Sequence, residues 1–319
     1  MSRRHLRAAP PSRLPARSPA RFVLGAVLLA VPLLLALLGP VVAGLPGPRG
    51  ASFTAADGHP LGTDFAGQDV WRQLLLGGRS VVVIALAATV SAYLIALPLA
   101  FAAALTRRAW LEELLMRPLD VLLAVPSLLM VLLVATVFAP GAAGLALLVA
   151  LINVPDAARL VRAAAAEAAA RPAVEALRMQ GESWWRIAVG YVARSALRTL
   201  AADAGVRMTG VLYLVATAAF LGVGVDPDAA DWAVMVDRNR TGLFVQPWAV
   251  VVPALLIVAL SMGTNLLGDT ALADRSAPPR PRGVPGPRSG AATAPSRSPR
   301  SLRSPRSSRS PRTTKGSAK

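Results

Sequence analysis

The sequence predicts an all-α membrane protein of about six transmembrane helices with both termini cytoplasmic, and three observations carry that reading. The 319 residues are 54% hydrophobic and 16% charged, with a mean hydropathy of +0.52, too apolar for a soluble chain of this length. Six stretches are apolar enough to cross hydrocarbon, where about 20 residues of helix are needed because backbone amides find no water there. Basic residues gather on alternate sides of those stretches.

The stretches run over residues 22–45, 80–105, 119–138, 142–155 continuing toward 160, 208–225 and 248–267. The fourth is interrupted by Asn153, Pro155 and Asp156. Residues 1–21, 106–118, 159–207 and the C-terminal tail together hold 29 of the 34 basic residues. The other side holds Arg49, Arg72, Arg79, Arg238 and Arg240, outnumbered there by Asp57, Asp64, Asp69, Asp226, Asp228, Asp231 and Asp237. Basic flanks stay on the cytoplasmic side, which places both ends of the chain inside. A cleaved leader is the alternative for the first stretch, with Ala43 and Gly44 following it. Its apolar run exceeds the roughly 7–15 residues of a signal core, and its removal would leave five spans.

Net charge is +17, but twelve of the 34 basic residues and none of the 17 acidic ones fall in residues 275–319, so residues 1–274 carry only +5. The organisation expected is a disordered basic arm over 1–21, a transmembrane domain over 22–275, and a disordered Arg/Ser/Pro-rich tail over 276–319. Such a tail cannot bury enough surface to fold. Its Ser-Pro-Arg repeats admit a nucleic-acid reading, but attraction to anionic lipid headgroups is the simpler one, and nucleic acid is not expected as a partner.

With no cysteine and only His5 and His59, disulfides, thiolate metal sites, a cysteine nucleophile and a Ser-His pair are excluded or left without residues. No catalytic residue, metal site or cofactor is assigned to this chain. No phosphate loop exists either, and the two lysines, Lys315 and Lys319, lie in the tail, so the chain has no nucleotide site of its own.

The loop between the fourth and fifth stretches is too long for a bare connector. Arg171-Pro172 suits a helix start. Val174, Leu177, Gly181 and Trp184/Trp185 recur at three- and four-residue steps, with Glu175, Arg178 and Glu182 elsewhere around the helix. Gly181 is expected to break the segment in two. An amphipathic helix here can sink into the lipid interface or fill a groove on a partner, and pattern alone does not choose.

Glu175-Ala176-Leu177-Arg178-Met179-Gln180-Gly181 resembles the Glu-Ala-Ala, three residues, Gly motif in the cytoplasmic loop of binding-protein-dependent ABC importer permeases. Three further segments are similar to the dipeptide, oligopeptide and nickel branch. These are His59-Pro60-Leu61-Gly62-Thr63-Asp64 continuing through Gly67-Gln68-Asp69 to Gly77-Gly78-Arg79-Ser80; Phe220-Leu221-Gly222-Val223-Gly224-Val225 with Pro227 and Trp232; and Asn265-Leu266-Leu267-Gly268-Asp269 with Leu272 and Asp274-Arg275. The matches span 59–275 in order. Leu177 departs from the usual Ala, Gln68 from Arg, and Gly190-Tyr191-Val192-Ala193-Arg194 from His-Ile-Leu-Pro-Asn.

The resemblance implies a transporter subunit, not an enzyme, in a bacterial inner membrane. It implies half of a passage for peptides or a similar small solute, a nickel complex included. A second homologous permease, two cytoplasmic ABC ATPases that bind ATP and Mg, and an extracytoplasmic substrate-binding protein would complete the importer. The coupling loop, about 161–207, would dock residues 172 to about 189 into the ATPase, through Glu175, Ala176, Leu177, Arg178, Gly181, Glu182, Trp184 and Trp185. Glu175 would hold an ATPase group, or serve only the helix dipole. Arg178 and Glu182, four apart, would pair. Asp203 and Arg207 read as an interfacial pair, with gating as the alternative. Thr89, Ser91, Thr136, Asn153, Thr217 and Asn265 are the polar candidates for a lumen, unless bonded to their own helices, and no substrate site is assigned. Asp226, Asp228, Asp231 and Trp232 would face the receptor.

Two rival classes remain in view. A secondary transporter working without ATP should carry an ionisable residue in mid-membrane, and none is read well inside a span. A membrane-tethered nucleic-acid-binding or scaffold protein should depend on residues 276–319.

Overall fold

Every long apolar stretch becomes a helix, because in hydrocarbon a helix is the one single-segment structure that satisfies its own backbone. The computed structural model describes residues 19–55, 59–106 and 108–273. The readings of the basic arm before residue 19 and of the tail fall outside these. Among the described residues there are nine α-helices and no strand: α1 (Pro19–Val42), α2 (Val70–Leu105), α3 (Ala109–Leu123), α4 (Ser127–Phe138), α5 (Ala142–Ala169), α6 (Pro172–Met179), α7 (Arg194–Phe220), α8 (Trp232–Asn239) and α9 (Trp248–Ala273). A π-helical stretch, Arg186–Ala193, leads into α7. Five helices are long and apolar enough to cross a membrane, or six if the bent pair α3 and α4 makes one span.

That pair corrects the third predicted span, residues 119–138. α3 and α4 meet at 86°. Pro126 precedes α4, and the residue before a proline is pushed away from helical backbone. α3 is also charged: Asp120 and Glu112 pair with Arg159, at 2.6 Å, and with Arg162 of α5. At about 1.5 Å per residue α4 alone measures about 18 Å, short of the roughly 30 Å of hydrocarbon.

Other boundaries move because charges and glycines that interrupt an apolar run need not interrupt a helix. α2 begins ten residues before position 80, α5 continues to Ala169 through Pro155, and α7 begins at Arg194 rather than 208. The loop expected over 161–207 therefore narrows to residues 170–193.

α2 is the centre, packed most extensively on α5 and also on α1 and α7. Its Ala85, Ala88, Ala92, Ala96 and Ala100 are fully buried at three- and four-residue steps. Ala92 and Ala96 meet Ala150, Val154, Ala157 and Ala158, and Ala100 meets Val161, Ala165 and Ala168. Small side chains let the backbones approach closely, which is how helices adhere in lipid, where tails are as apolar as leucine. α1 lies along α9, and a Cβ at Gly263 of α9 would stand 2.5 Å from the Leu29 nitrogen of α1.

At the start of α2 the loop 43–69 is held by its own polar groups. Thr63 Oγ1 donates to Ala51 O at 2.6 Å, Asp64 Oδ1 accepts from Ala66 and Gln68 amides at 2.9 and 2.7 Å, and Asp69 caps α2. Trp232 is fully buried, its Nε1 donating to Leu74 O at 2.8 Å. Its indole occupies the space left by Gly77 and Gly78. Asp231 caps α8 through Oδ1, and its Oδ2 is buried with Ser80 as its polar neighbour.

Burial pushes the Asp231 carboxyl above its ordinary value, against the pull of the Ser80 hydroxyl and the Val234 and Ala233 amides. Burial raises Asp64 likewise. A carboxyl raised in the fold holds its proton more readily than in the unfolded chain, so its contribution is greatest at acid pH and fades as pH rises through the folded value.

Two outcomes are expected of purified protein in detergent. Gly263→Ala should destabilise by about 1–3 kcal/mol, since backbone faces the new methyl, whereas Gly210→Ala, which meets open space, should not lower the unfolding temperature. Asp231→Asn keeps the capping oxygen, and its unfolding temperature should fall less than that of the parent as pH is raised above the ordinary carboxylate range.

Candidate functional site

α6 begins with Pro172 in its first turn and Glu175 just behind it, and ends two residues short of Gly181. Gly181 has φ 78°, a conformation that costs other residues roughly 1–2 kcal/mol. The Glu182 amide donates to Leu177 O at 3.1 Å and the Gly181 amide to Arg178 O at 3.0 Å. This is the paired Schellman closure of a helix end, and it turns the chain sharply.

The break expected at Gly181 is where α6 gives out: Trp184 and Trp185 start the next helical run, which continues through the π-helical stretch into α7. One expectation for this segment needs correction. Glu182 pairs with Arg186 at 3.0 Å, not with Arg178, because the turn at Gly181 lies between 178 and 182 while 182 and 186 flank the new helix start.

The aliphatic face is also already in use. Val174 is fully buried with Phe101, Leu105, Val161, Ile187, Ala188 and Val192, and Leu177 packs against that cluster. What the segment leaves uncovered is Glu175, Met179, Trp184, Trp185 and Val189, with Ala176 and Arg178 half-buried. The two indoles meet edge to face, centroids 4.7 Å apart. Beside them a hollow of about 320 Å³ is lined by Leu177, Glu182, Arg186, Ile187, Gly190 and Tyr191.

A second concavity, of whose lining the sequence named only Thr217 and Asn265 as lumen candidates, lies between α7, α8 and α9. It measures about 610 Å³ and is lined on its polar side by Thr209, Tyr213, Thr217, Ser261 and Asn265, on its apolar side by residues such as Phe220, Val236, Ile257 and Met262. No charged side chain lines it. Of the other lumen candidates, Thr89 and Thr136 donate to Ala85 O and Leu133 O, and Asn153 to Val149 O, each within its own helix. Three- and four-residue spacing of Thr209, Tyr213 and Thr217 on α7, with Ser261 and Asn265 on α9, was the signal in the sequence.

Asp203 and Arg207 pair at 3.0 Å in a largely buried position on α7. Tyr93 of α2 donates its hydroxyl to Asp203. The apolar part of α7 starts at Thr199, a few residues before the pair, which keeps the pair toward the end of the span where the sequence placed it. Asp231 and Trp232, expected to face a receptor, are buried, and Asp228 is engaged by Arg238 at 2.9 Å.

Residues 96–271 match the family described as binding-protein-dependent transport system inner membrane component. The chain is 28% identical over 214 residues to the glutathione transport system permease protein GsiD of Pectobacterium atrosepticum, covering 66% of this chain and 70% of that one. It is 28% identical over 257 residues, 77% of this chain and 84% of the relative, to the "Probable D,D-dipeptide transport system permease protein DdpC" of Escherichia coli. It is 30% identical over 210 residues, 66% and 69%, to the di/tripeptide transport system permease protein DppC of Pseudomonas aeruginosa. With its bundle of apolar helices and a family match over more than half its length, this chain belongs to the binding-protein-dependent inner membrane components and is a multi-pass permease subunit of a bacterial ABC importer, not an enzyme, working in a system that includes ATPase and binding-protein partners.

Proposed function

We propose that this permease pairs with a second, homologous one to form a passage for peptides or a similar small solute, and that the segment 172–193 receives the ATPases. Two ATPases on the cytoplasmic face would bind ATP and Mg, and a receptor on the other face would deliver the solute. Three relatives named for glutathione, D,D-dipeptide and di/tripeptide transport support the substrate class. The neutral groove beside α7 supports it too. Hydroxyl and amide groups facing an apolar wall suit a backbone-like solute without fixing its side chains, which leaves selectivity to the receptor. A nickel complex would find no His, Asp or Glu among the residues lining that groove.

The observation that carries the docking reading is the exposed surface of Met179, Trp184 and Trp185 on a segment whose underside, Val174 and Ile187, is locked into the bundle. A surface both apolar and rigidly backed transmits force; one that only floats on lipid does not need such backing. Glu175, which is exposed and forms no ion pair among the described residues, is available to meet a basic or amide group on the ATPase. The excess of arginine at this end of the bundle supports a cytoplasmic placement. The basic tail, on the same reading, lies against anionic lipid.

Purification from the native membrane tests the proposal. The parent protein should bring with it a second permease and ATPase subunits. Trp185→Ala, whose side chain is 67% exposed, should keep the unfolding temperature and the second permease but lose the ATPases. Gly181→Val should lose them too, through a strain of roughly 1–2 kcal/mol at the turn. A Trp185→Ala protein that retains its ATPases in full yield would sink the docking surface.

A further inference from the structure

We propose that Tyr93, Asp203 and Arg207 form a clamp that makes α2 follow α7 when the segment 172–193 is displaced, so that motion delivered at the loop reaches two spans as one body. The proposal rests on the docking reading above and names the residues that carry the motion inward.

Asp203 Oδ2 accepts from Arg207 Nε at 3.1 Å and Nη2 at 3.0 Å, and also from the Tyr93 hydroxyl. Oδ1 accepts from Arg207 Nη2 at 3.2 Å. The two charged side chains are only 13% and 11% exposed. Ions at such a depth are costly unless each lone pair and proton is met. Asp203 and Arg207 are four apart on one helix and could neutralise each other without help. The tyrosine hydroxyl is therefore the part that reaches between helices, and its acceptor is a carboxylate, which makes the bond charge-assisted and stronger than a neutral one.

Position gives this bond its consequence. On the loop side, one apolar cluster joins Phe101 and Leu105 of α2, Val161 and Ala165 of α5, Val174 of α6, Ile187 and Val192 of the π-helical stretch, and Ala196 and Leu200 of α7. Such contacts hold the segment in place but are non-directional, so they fix no particular partner atom between α2 and α7. Helical backbone runs unbroken from Trp184 to Phe220, so a push on the two tryptophans is a push on α7. On the other side, Thr209, Tyr213 and Thr217 of the same helix line the neutral groove. The clamp lies between push and groove. Farther along the α2–α7 contact the next polar link, Thr89 Oγ1 to Met208 Sδ at 3.1 Å, ends on a weak thioether acceptor. Tyr93 is a positioning residue in this scheme, acting on the groove only through α7.

The chain contains no cysteine, so once any cysteines of the partner subunits are replaced, the introduced ones are the only labelling sites. Leu94 of α2 and Leu197 of α7 are 67% and 62% exposed. Leu94→Cys and Leu197→Cys, spin-labelled in the complex purified with its ATPases, report the distance between the two helices by electron–electron resonance. It is measured without nucleotide and after trapping with ATP and vanadate. The parent complex should show one distance population in both states. Tyr93→Phe should show one population without nucleotide and two after trapping, with the ATPase rate retained. Thr89→Val, which removes the neighbouring link, should behave as the parent. A single population for Tyr93→Phe in both states overturns the clamp. So does a split that is already present without nucleotide, or one that Thr89→Val reproduces, because either marks a merely structural contact. ATPases missing from the parent preparation would instead sink the docking reading, and the clamp with it.

Discussion

The close approach of α2 to α5 is what the rest of this permease depends on. In water, two amphipathic helices are driven together by their apolar faces; in hydrocarbon that drive is absent, and adhesion comes from packing. The alanines of α2 at positions 85, 88, 92, 96 and 100 leave a shallow groove along most of the helix, and the facing stretch of α5 is built of Ala and Val. With that pair fixed, α3 is tied to α5 by Asp120 and Glu112, α7 is seated against both, and α1 closes over α2 and α9. Because α2 is 36 residues long, about 54 Å, the same helix also anchors the capped loop at one end and the α6 cluster at the other.

The two ends use their family-like segments differently. In the loop before α2 the residues are consumed by structure: Asp64 binds amides of its own turn, Asp69 caps the helix, and Gly77 and Gly78 make room for Trp232. They fix the shape of this end while exposing little of their own chemistry. At the α6 end the opposite holds. Gly181 ends the helix, Val174 roots it, and the polar and aromatic residues remain outside. A surface that is rooted underneath and unsatisfied above is what a docking element requires.

Charge inside the bundle follows the same economy. Arg159 and Arg162 lie on α5 where α3 can reach them, and Asp203 and Arg207 satisfy each other on α7 with Tyr93 as the third member. The groove beside α7, by contrast, has no charge at all and keeps hydroxyl and amide groups uncovered. On the proposed function, a solute in this neutral groove would meet no unpaired ion, since the neighbouring ionic cluster is already satisfied.

Much was legible in the sequence because it depends on local chemistry. Helical spans follow from the length of apolar runs, Pro172 and Gly181 mark the ends of α6 by their own backbone limits, and the four family-like segments keep their order along the chain. Tertiary structure decided what local pattern leaves open. Whether Val174 or Trp185 faces outward depends on which side of α6 the Ile187–Val192 segment covers. Which group reaches Asp203 from another helix depends on a tyrosine 110 residues away. Trp232 looked like a surface aromatic until Gly77 and Gly78 provided a pocket for it, and α3 lies where its carboxylates meet arginines of α5. A run of residues carries its own helix propensity and hydropathy, but burial and charge pairing belong to two segments at once, and only their packing together settles them.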